Sequence, residues 1–287
     1  MKKGTSPTLE VIVATHKPYT IPTDSLYRPL LVGSSFFQAK YPDIKLPSIF
    51  SFDNTGKNIS EKNPNYSELT GLYWLWQNRA IKDKNPDSFY GLVHYRRFFS
   101  VKDTKEILTK KTLKSLLYDL DKNIKYDIIL PKKRHYFIEN LYSHYAHTLH
   151  IEPLNKTRQI IQDYHPEYLA EFDRLKMRRS AHMFNIFIMR KNLFNEYCEF
   201  LFDTLINLEK SLSKTELNQY DDFHARFFGR ISELLLDVFL YTKYTDLDQK
   251  TNVLELKIIE TEPVNWFTKI TSFLLAKFFG KKYHKSY

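Results

Sequence analysis

The sequence predicts an α/β protein with a mostly parallel central sheet. Short apolar runs typical of buried strands alternate with longer segments of helical periodicity, the order expected when helices cover a parallel sheet. The chain has 287 residues, of which 43% are hydrophobic, so it can bury a sizeable core and is not intrinsically disordered. Because no linker or internal repeat divides it, residues 1–262 are expected to form one domain.

The first half of the chain supplies three predicted strands. Leu9–Thr15 is a run expected to be buried that ends in the polar residues His16 and Lys17, a second strand covers residues 89–95, and Asp127–Pro131 is a third. Helices are predicted at Glu68–Arg79 and from Thr104 to about Leu120, because apolar residues recur there at helical spacing.

A long stretch after the first strand, Pro18–Asn65, is predicted to be irregular because it is rich in Pro, Asp, Asn and Ser. Loops of this length in a compact domain are usually functional. The rest of the chain is mainly helical in its periodicity, apart from strands at Met183–Met189 and Asn252–Ile259. The helices predicted there are Asn140–Thr148, Glu152–Tyr164, Glu167–Met177, Leu193 to about Leu212, and about Gly229 to Tyr241.

Half of the formal net charge of +10 lies in the last 25 residues, where five lysines and no acidic residue follow Glu262. Aromatic and aliphatic residues alternate with these lysines, which predicts an amphipathic helix. Residues 263–287 are too short and too basic to span a bilayer, and we expect them to lie on an anionic membrane surface. The alternative is a terminal helix that docks on the core with its lysines in solvent.

Several classes of protein are excluded by missing patterns. The sequence has no GxxxxGK[ST], GxGxxG or HExxH motif and no Cys/His cluster, which argues against P-loop, dinucleotide and zinc chemistry. The single cysteine, Cys198, lies in an apolar helical pattern and is expected to be a buried hydrophobe. The N-terminus lacks a signal-peptide pattern, so the expected compartment is the cytoplasm. Nucleic-acid binding, suggested by a pI of about 9.3, is disfavoured because the basic residues outside the tail form no recognisable motif.

The strongest functional signal is the segment Gly91–Phe99, in which an apolar strand runs into His94, Tyr95, Arg96 and Arg97. Such charge is tolerated only where a strand end reaches water or a ligand, and guanidinium groups match phosphate oxygens. This predicts a site for a phosphorylated or diphosphate-linked substrate at the carboxyl end of a strand. The alternative is a strand edge whose arginines pair with nearby carboxylates.

The polar residues that follow the first strand form a second candidate contact. His16, Lys17 and Tyr19 stand at that strand end, with Lys17 suited to a phosphate. Asn58, Ser60 and Asn63 offer amide and hydroxyl groups suited to sugar hydroxyls, although such residues are common in any loop.

Five segments carry a family resemblance through their order along the chain: Thr15–Tyr19, Asn58–Asn63, Glu68–Trp76, His94–Arg97 and Gly229–Leu235. Together they resemble the capsular and exopolysaccharide biosynthesis glycosyltransferases long catalogued as a domain of unknown function of the DUF4422 type, over roughly Val11 to Ile259. The resemblance implies a single Rossmann-like nucleotide-sugar transferase domain of the GT-A type, with a nucleotide-diphosphate sugar as donor and a glycan or polyprenyl-linked molecule as acceptor. Some members are associated with galactofuranose, so UDP-galactofuranose is a candidate donor.

The resemblance leaves open whether the protein binds a divalent Mn or Mg ion, and no cofactor is assigned. Many A-type transferases hold such an ion with an Asp-x-Asp motif, but the triplets Asp119–Asp121 and Asp246–Asp248 fall at a predicted helix end and in a late loop. Lys57 stands where the family commonly has an acidic residue after the turn Asp53–Gly56, which weakens a metal site there. We therefore expect cationic side chains to stabilise the leaving group.

An inverting transferase also needs a base for the acceptor hydroxyl. Glu233 is the first candidate, because Gly229–Glu233 is expected to open a helix with this carboxylate in its first turn; the alternative is a capping or helix-dipole carboxylate. Asp222, beside Asp221, is the second candidate, and Arg230 is a candidate donor contact. A non-catalytic partner in polysaccharide assembly is the competing function.

Overall fold

The computed structural model describes residues 6–101, 104–118, 123–244 and 252–262. The predicted tail, 263–287, and the triplets Asp119–Asp121 and Asp246–Asp248 lie outside these residues. The chain forms two compact units. Among the described residues, the first comprises 6–132, 184–199 and 252–261, with the gaps given above, and the second comprises 133–183, 200–244 and Glu262.

Eleven strands are present in the described part of the chain, nine of them in one sheet of the first unit. They are β1 Leu9–Thr15, β2 Tyr27–Leu31, β3 Ser51–Phe52, β4 Phe89–His94, β5 Arg97–Phe99, β6 Ile128–Pro131, β7 Arg134–His135, β8 Ser180–Ala181, β9 Phe187–Arg190, β10 Val253–Leu256 and β11 Ile258–Glu260. The order in the main sheet is β10-β6-β9-β4-β1-β2-β3, while β5 pairs with β4 and β11 with β5.

The main sheet is mostly parallel, as the sequence predicts. β1 pairs in parallel with β2 and β4, β2 with β3, and β6 with β10. The exceptions are β9, which runs antiparallel between β4 and β6, and the antiparallel extension made by β5 and β11. Thr15 lies opposite Leu31, and Ala14 lies opposite His94. The carboxyl ends of β1, β2 and β4 therefore meet at one edge of the sheet.

The first unit contains helices in the stretch Pro18–Asn65 as well as β2 and β3, so the prediction that this stretch is irregular is wrong. In β2, Arg28 and Pro29 interrupt the apolar run and hide the strand signal, and Glu10 of the adjacent β1 forms an ion pair with Arg28. The helices of this unit are α1 Ser34–Lys40, α2 Asn63–Tyr66, α3 Leu69–Leu75 and α4 Lys110–Leu117, and α8 Lys191–Ser211 begins in it.

Two predicted helices of the first unit are shorter in the structure. The segment Glu68–Arg79 folds as α3 followed by a π-helical turn, Trp76–Ala80. The helix predicted from Thr104 begins only at Lys110, because the Thr109 side chain accepts a hydrogen bond from the Thr112 amide and caps the helix there.

The core of the first unit lies against the sheet. All seven residues of β1 are buried, including Glu10, whose carboxylate pairs with Arg28 of β2. Gly91 in β4 permits close approach of β9, because a Cβ atom there would lie 2.6 Å from the Phe187 carbonyl oxygen. Cys198 is buried in α8, as expected for a small hydrophobe, and its burial raises the thiol pKa.

The second unit is mainly helical. Its described helices, besides the later part of α8, are α5 Leu141–Thr148, α6 Glu152–Tyr164, α7 Leu169–Asp173, α9 Lys214–Asn218 and α10 Phe227–Lys243, and β7 pairs with β8. The bounds predicted for α6 are confirmed. Tyr168 stacks on Phe200 with ring centroids 4.0 Å apart, and both rings stack on Phe239. No helix in the described ranges is long and apolar enough to cross a membrane.

Candidate functional site

Polar residues gather at the carboxyl edge of β1 and β4. Thr15 ends β1, and its hydroxyl accepts a hydrogen bond from the Lys17 amide at 3.2 Å, which fixes the turn that follows the strand. His94 ends β4 and lies beside β1, so the residues after both strands reach the same edge. In open α/β sheets, ligands bind in the crevice at the carboxyl ends of the strands.

Five predicted donor-binding residues form one group, here called the Tyr95 cluster: His16, Lys17, Tyr19, Tyr95 and Arg96. The Tyr95 ring lies at its centre. The His16 ring meets it edge-on at 5.4 Å between centroids, and the Tyr19 ring lies at 6.1 Å. The Lys17 Nζ atom is 4.9 Å from the Tyr95 centroid, and the Arg96 Cζ atom is 6.0 Å from it. Two cations and an imidazole thus share one aromatic ring.

The two adjacent arginines differ in their environments. Arg97 is only 6% exposed, its Nε donates to Glu260 Oε1 at 3.2 Å, and its Cζ lies 4.2 Å from the Phe184 ring centroid. Arg96 is half-buried and forms no ion pair with any residue that the structure describes. Arg97 is therefore an ion-paired residue of the strand edge, which is the alternative given for this segment, whereas the charge of Arg96 is available to an anion.

Two polar atoms at this edge are buried without a hydrogen-bond partner in the described part of the chain, His94 Nε2 and the Tyr19 hydroxyl. Burial lowers the pKa of His94, and although the nearby Glu68 carboxylate opposes this, Arg97 and Arg96 add to it. Burial also raises the pKa of Tyr19. At neutral pH both side chains are therefore uncharged. Unsatisfied buried polar groups are rare in folded proteins, and a ligand is one explanation for them.

Glu68 and Asn185 join this edge, although sequence reasoning did not single them out as site residues. The Asn185 Nδ2 atom donates to Glu68 Oε1 at 2.7 Å, and Glu68 is the carboxylate that acts on His94. Asn185 is fully buried with φ of 52°, and the preceding Phe184 has φ of 79°. Such left-handed conformations cost about 1–3 kcal/mol each and cluster at functional sites. Glu68 opens the segment Glu68–Trp76, but nothing in the sequence marks Asn185.

Of Asn58, Ser60 and Asn63, only Ser60 bonds the buried carboxylate of Asp53 directly. The Ser60 hydroxyl is fully buried and donates to Asp53 Oδ1 at 2.6 Å, so it cannot reach a sugar in this conformation. Asn63 is half-buried and donates to the Ser67 carbonyl at 2.7 Å. Asn58 is exposed and closes a local turn.

Asp53 is a structural acceptor and does not fit a metal ligand. It accepts five hydrogen bonds, from the Gly33 and Ser34 amides at 2.8 and 3.0 Å and from the Ser34, Ser60 and Thr70 hydroxyls at 2.6 Å each. Both carboxylate oxygens are thus occupied. Within the described ranges, no group of three or more His, Cys, Asp or Glu side chains could hold a metal ion.

The remaining candidates, Arg230, Glu233 and Asp222, belong to the second unit. The prediction that Glu233 lies in the first turn of its helix is wrong, because α10 begins at Phe227 and has no acidic residue in its first turn. The Arg230 Cζ atom lies 4.5 Å from the Phe223 ring centroid. Asp222 is exposed, while its neighbour Asp221 accepts hydrogen bonds from the backbone before α10.

The fold and the polar edge define an α/β protein with a candidate anion site at the carboxyl ends of parallel strands. The chain belongs to the family described as "Domain of unknown function (DUF4422)", whose model matches residues 10–244. This confirms the DUF4422 part of the resemblance. No curated protein matches the chain.

A solved structure supports the same fold. The chain is similar to the WbbM bifunctional glycosyltransferase in its apo form, with a TM-score of 0.73 and 26% sequence identity. The match covers 89% of this chain and 46% of that one. The chain therefore spans about half the length of the protein that it matches.

Proposed function

We propose that this chain is a glycosyltransferase that uses a nucleotide-diphosphate sugar as donor. The observation on which this rests is the Tyr95 cluster, in which Arg96 has no ion pair among the described residues and lies beside Lys17 at the carboxyl edge of the sheet. The likeness to a bifunctional glycosyltransferase over 89% of the chain supports the same reaction class.

In the proposed reaction the sugar–phosphate bond breaks, and the leaving nucleoside diphosphate gains negative charge. Arg96 can donate two parallel hydrogen bonds to its oxygens, and Lys17 adds a point charge. Because both cations lie within about 6 Å of the Tyr95 centroid, the ring limits their movement before the donor arrives. We propose that these side chains stabilise the leaving group. Activity that disappears with EDTA and returns with manganese would contradict a mainly cationic mechanism.

The donor also carries hydroxyl groups that need hydrogen-bond partners. We propose that neutral His94 and the Tyr19 hydroxyl supply them, since both have a buried polar atom with no partner in the described ranges. His16 lies against the same ring and is proposed to contact the nucleotide. Asn58 and Asn63 remain proposed contacts for the sugar, whereas Ser60 and Arg97 are left out because their polar groups are engaged within the protein.

For an inverting reaction we propose Glu68 as the base that accepts the proton of the acceptor hydroxyl. One of its oxygens accepts from Asn185, and the other has no partner in the described part of the chain. Glu233 and Asp222 in the second unit remain the alternatives. Single Glu68→Gln, Glu233→Gln and Asp222→Asn variants separate the three, because only loss of the base lowers turnover by about 10²- to 10⁴-fold while the donor still binds.

The proposed donor sugar, acceptor, pathway and cellular location rest on the family resemblance alone. We propose a UDP-sugar donor, with UDP-galactofuranose as a candidate, and a glycan or polyprenyl-linked acceptor in capsular or exopolysaccharide biosynthesis. The proposed place is the inner face of the cell membrane. The alternative is a non-catalytic partner in polysaccharide assembly, which would keep the fold without turnover.

A thermal-shift screen with UDP-, GDP- and dTDP-sugars tests the proposal. A ligand at a hundred times its Kd stabilises the folded state by about 2.7 kcal/mol, which corresponds to a rise in Tm of roughly 5 °C or more for a chain of this size. The nucleotide sugar that gives the largest rise is then assayed for transfer or hydrolysis. No Tm shift with any donor and no turnover would favour the non-catalytic alternative.

A further inference from the structure

Three large apolar side chains of the second unit are exposed together, Phe137, Ile138 and Met177. Their exposed fractions are 87%, 59% and 71%. Because burying large apolar side chains is favourable, several of them exposed to water indicate a contact surface.

Backbone pairing brings these residues to one place. β7 pairs antiparallel with β8, and beyond them the Tyr136 amide donates to the Arg179 carbonyl at 2.7 Å and the Leu141 amide donates to the Arg178 carbonyl at 2.8 Å. The loop at residues 137–140 therefore lies next to residues 178–179, so the segments that carry Phe137, Ile138 and Met177 are neighbours in the backbone.

The exposure of Phe137 and Ile138 is fixed by the residues that follow them. The Glu139 carboxylate is buried and lies 2.6 Å from His147 Nδ1 and 3.0 Å from His144 Nδ1. Asn140 then caps α5 by accepting a hydrogen bond from the Ser143 amide at 2.7 Å. Because this side of the loop is tied to the unit, the two apolar residues before it point outward.

The surface around the apolar residues carries an excess of positive charge. Residues 133–140 and 174–183 contain six Lys or Arg residues and one acidic residue, the buried Glu139. Glu171, just outside these segments, forms ion pairs with two of the six, Arg174 and Arg178. Arg179 is exposed and has no ion pair in the part of the chain that the structure describes. The six cationic residues are Lys133, Arg134, Arg174, Lys176, Arg178 and Arg179.

We propose that this apolar–basic patch, made of Phe137, Ile138 and Met177 with Arg134, Lys176 and Arg179, binds the surface of an anionic lipid bilayer. Apolar side chains can enter the boundary between headgroups and acyl chains while neighbouring cations contact lipid phosphates. The tail, 263–287, is a poor occupant for the patch because it carries five lysines and no acidic residue. The proposal does not depend on the reaction proposed above.

Vesicle flotation with the full-length protein tests this. Vesicles of phosphatidylcholine alone are compared with vesicles that contain about one third phosphatidylglycerol. The protein is expected to float only with the anionic vesicles. Phe137→Ser/Ile138→Ser and Lys176→Glu/Arg179→Glu variants are each expected to bind at least about tenfold more weakly, since one loses inserted apolar area and the other loses attraction to phosphate.

Ile49→Ser and Ile81→Ser are matched controls, because these isoleucines are 57% and 51% exposed in the first unit. Both are expected to bind like the wild-type protein, and the tail is the same in every variant. Wild-type protein that ignores anionic vesicles overturns the proposal, as does a Phe137→Ser/Ile138→Ser variant that binds at full strength. Loss only in the Lys176→Glu/Arg179→Glu variant would indicate a purely electrostatic surface, such as one for an acidic protein or nucleic acid, and would also overturn it.

Discussion

Arg96→Ala is expected to weaken the binding of UDP and leave the fold almost unchanged. Arg96 has no ion pair in the described ranges, and its Cζ lies 6.0 Å from the Tyr95 centroid. Its contribution to stability is therefore a weak cation–π contact of about 0.5–1 kcal/mol. A charge-assisted hydrogen bond to a diphosphate is worth about 1.5–3 kcal/mol, which is roughly a 10- to 150-fold loss in affinity.

The neighbouring Arg97→Ala variant provides the contrast. Arg97 is 6% exposed and bonds Glu260 at 3.2 Å. Arg97→Ala leaves the Glu260 carboxylate without its ion-pair partner. Because the Glu260 side chain is 31% exposed, we expect the free energy of unfolding to fall by about 2 kcal/mol, less than the 3–5 kcal/mol lost when a fully buried pair is broken. Two adjacent arginines should thus give opposite results, one in binding and one in folding.

Two measurements separate these effects, calorimetric titration with UDP and urea unfolding followed by tryptophan fluorescence. Lys110→Ala is the control for loss of one positive charge, since Lys110 lines a cavity of about 320 Å³ at the amino ends of β1 and β2. It should bind UDP like the wild-type protein. An Arg96→Ala protein that keeps its UDP affinity, or that loses as much stability as Arg97→Ala, would refute the assignment of Arg96 to an anion site.

Three further predictions concern residues at the same edge. Glu68→Gln should lower kcat by about 10²- to 10⁴-fold with UDP affinity unchanged, measured by steady-state kinetics; a comparable loss in Glu233→Gln instead would move the base to the second unit. Asp53→Ala should lower the free energy of unfolding by about 3 kcal/mol, measured in urea, because the buried groups that donate to this carboxylate lose their acceptor; a loss under about 1 kcal/mol would contradict this. For His94, burial lowers the folded-state pKa below its ordinary value of 6.5, so as the pH falls below about 6.5 the unfolded chain binds a proton first and the folded state loses stability. His94→Gln should therefore lose less free energy of unfolding than the wild-type protein when the pH is lowered from about 7.5 to about 5.5. Urea unfolding of both proteins at each pH measures this, and equal losses would count against a neutral buried His94.

The sequence predicts β1 well and β2 poorly. β1 agrees with the predicted Leu9–Thr15 because five of its seven residues, Leu9 and Val11–Ala14, are apolar and four of these are consecutive. The sequence does not predict β2 because Arg28 and Pro29 interrupt its apolar pattern. Arg28 is accommodated in the strand by an ion pair with Glu10 of β1. Pairing partners that lie far away in the chain leave no local signal.

The strand predicted at Met183–Met189 illustrates a different limit. The strand β9 begins only at Phe187, because Phe184 and Asn185 adopt left-handed conformations that end any extended run before it. A single sequence shows apolar residues there but not the backbone angles. For the same reason the contact between Asn185 and Glu68, which are 117 residues apart, could not be predicted.

The candidate site was predictable in part because strand ends are visible in a sequence. Residues after β1 and β4 meet because the two strands are neighbours and parallel. What the residues could not reveal is how two adjacent arginines divide their roles. The partner of Arg97 is Glu260, on a strand 163 residues away.

The geometry of the Tyr95 cluster has a consequence for how this fold can diversify. Its members follow β1 and β4 directly, and the distance between adjacent strands, about 4.8 Å, is set by backbone hydrogen bonding. The sheet therefore sets the spacing between Lys17 and Arg96. Asn58 and Asn63, by contrast, lie in or just after the loop that follows β3. Under the proposed function, insertions or exchanges in that loop would alter which sugar fits without moving the cations proposed to bind the diphosphate.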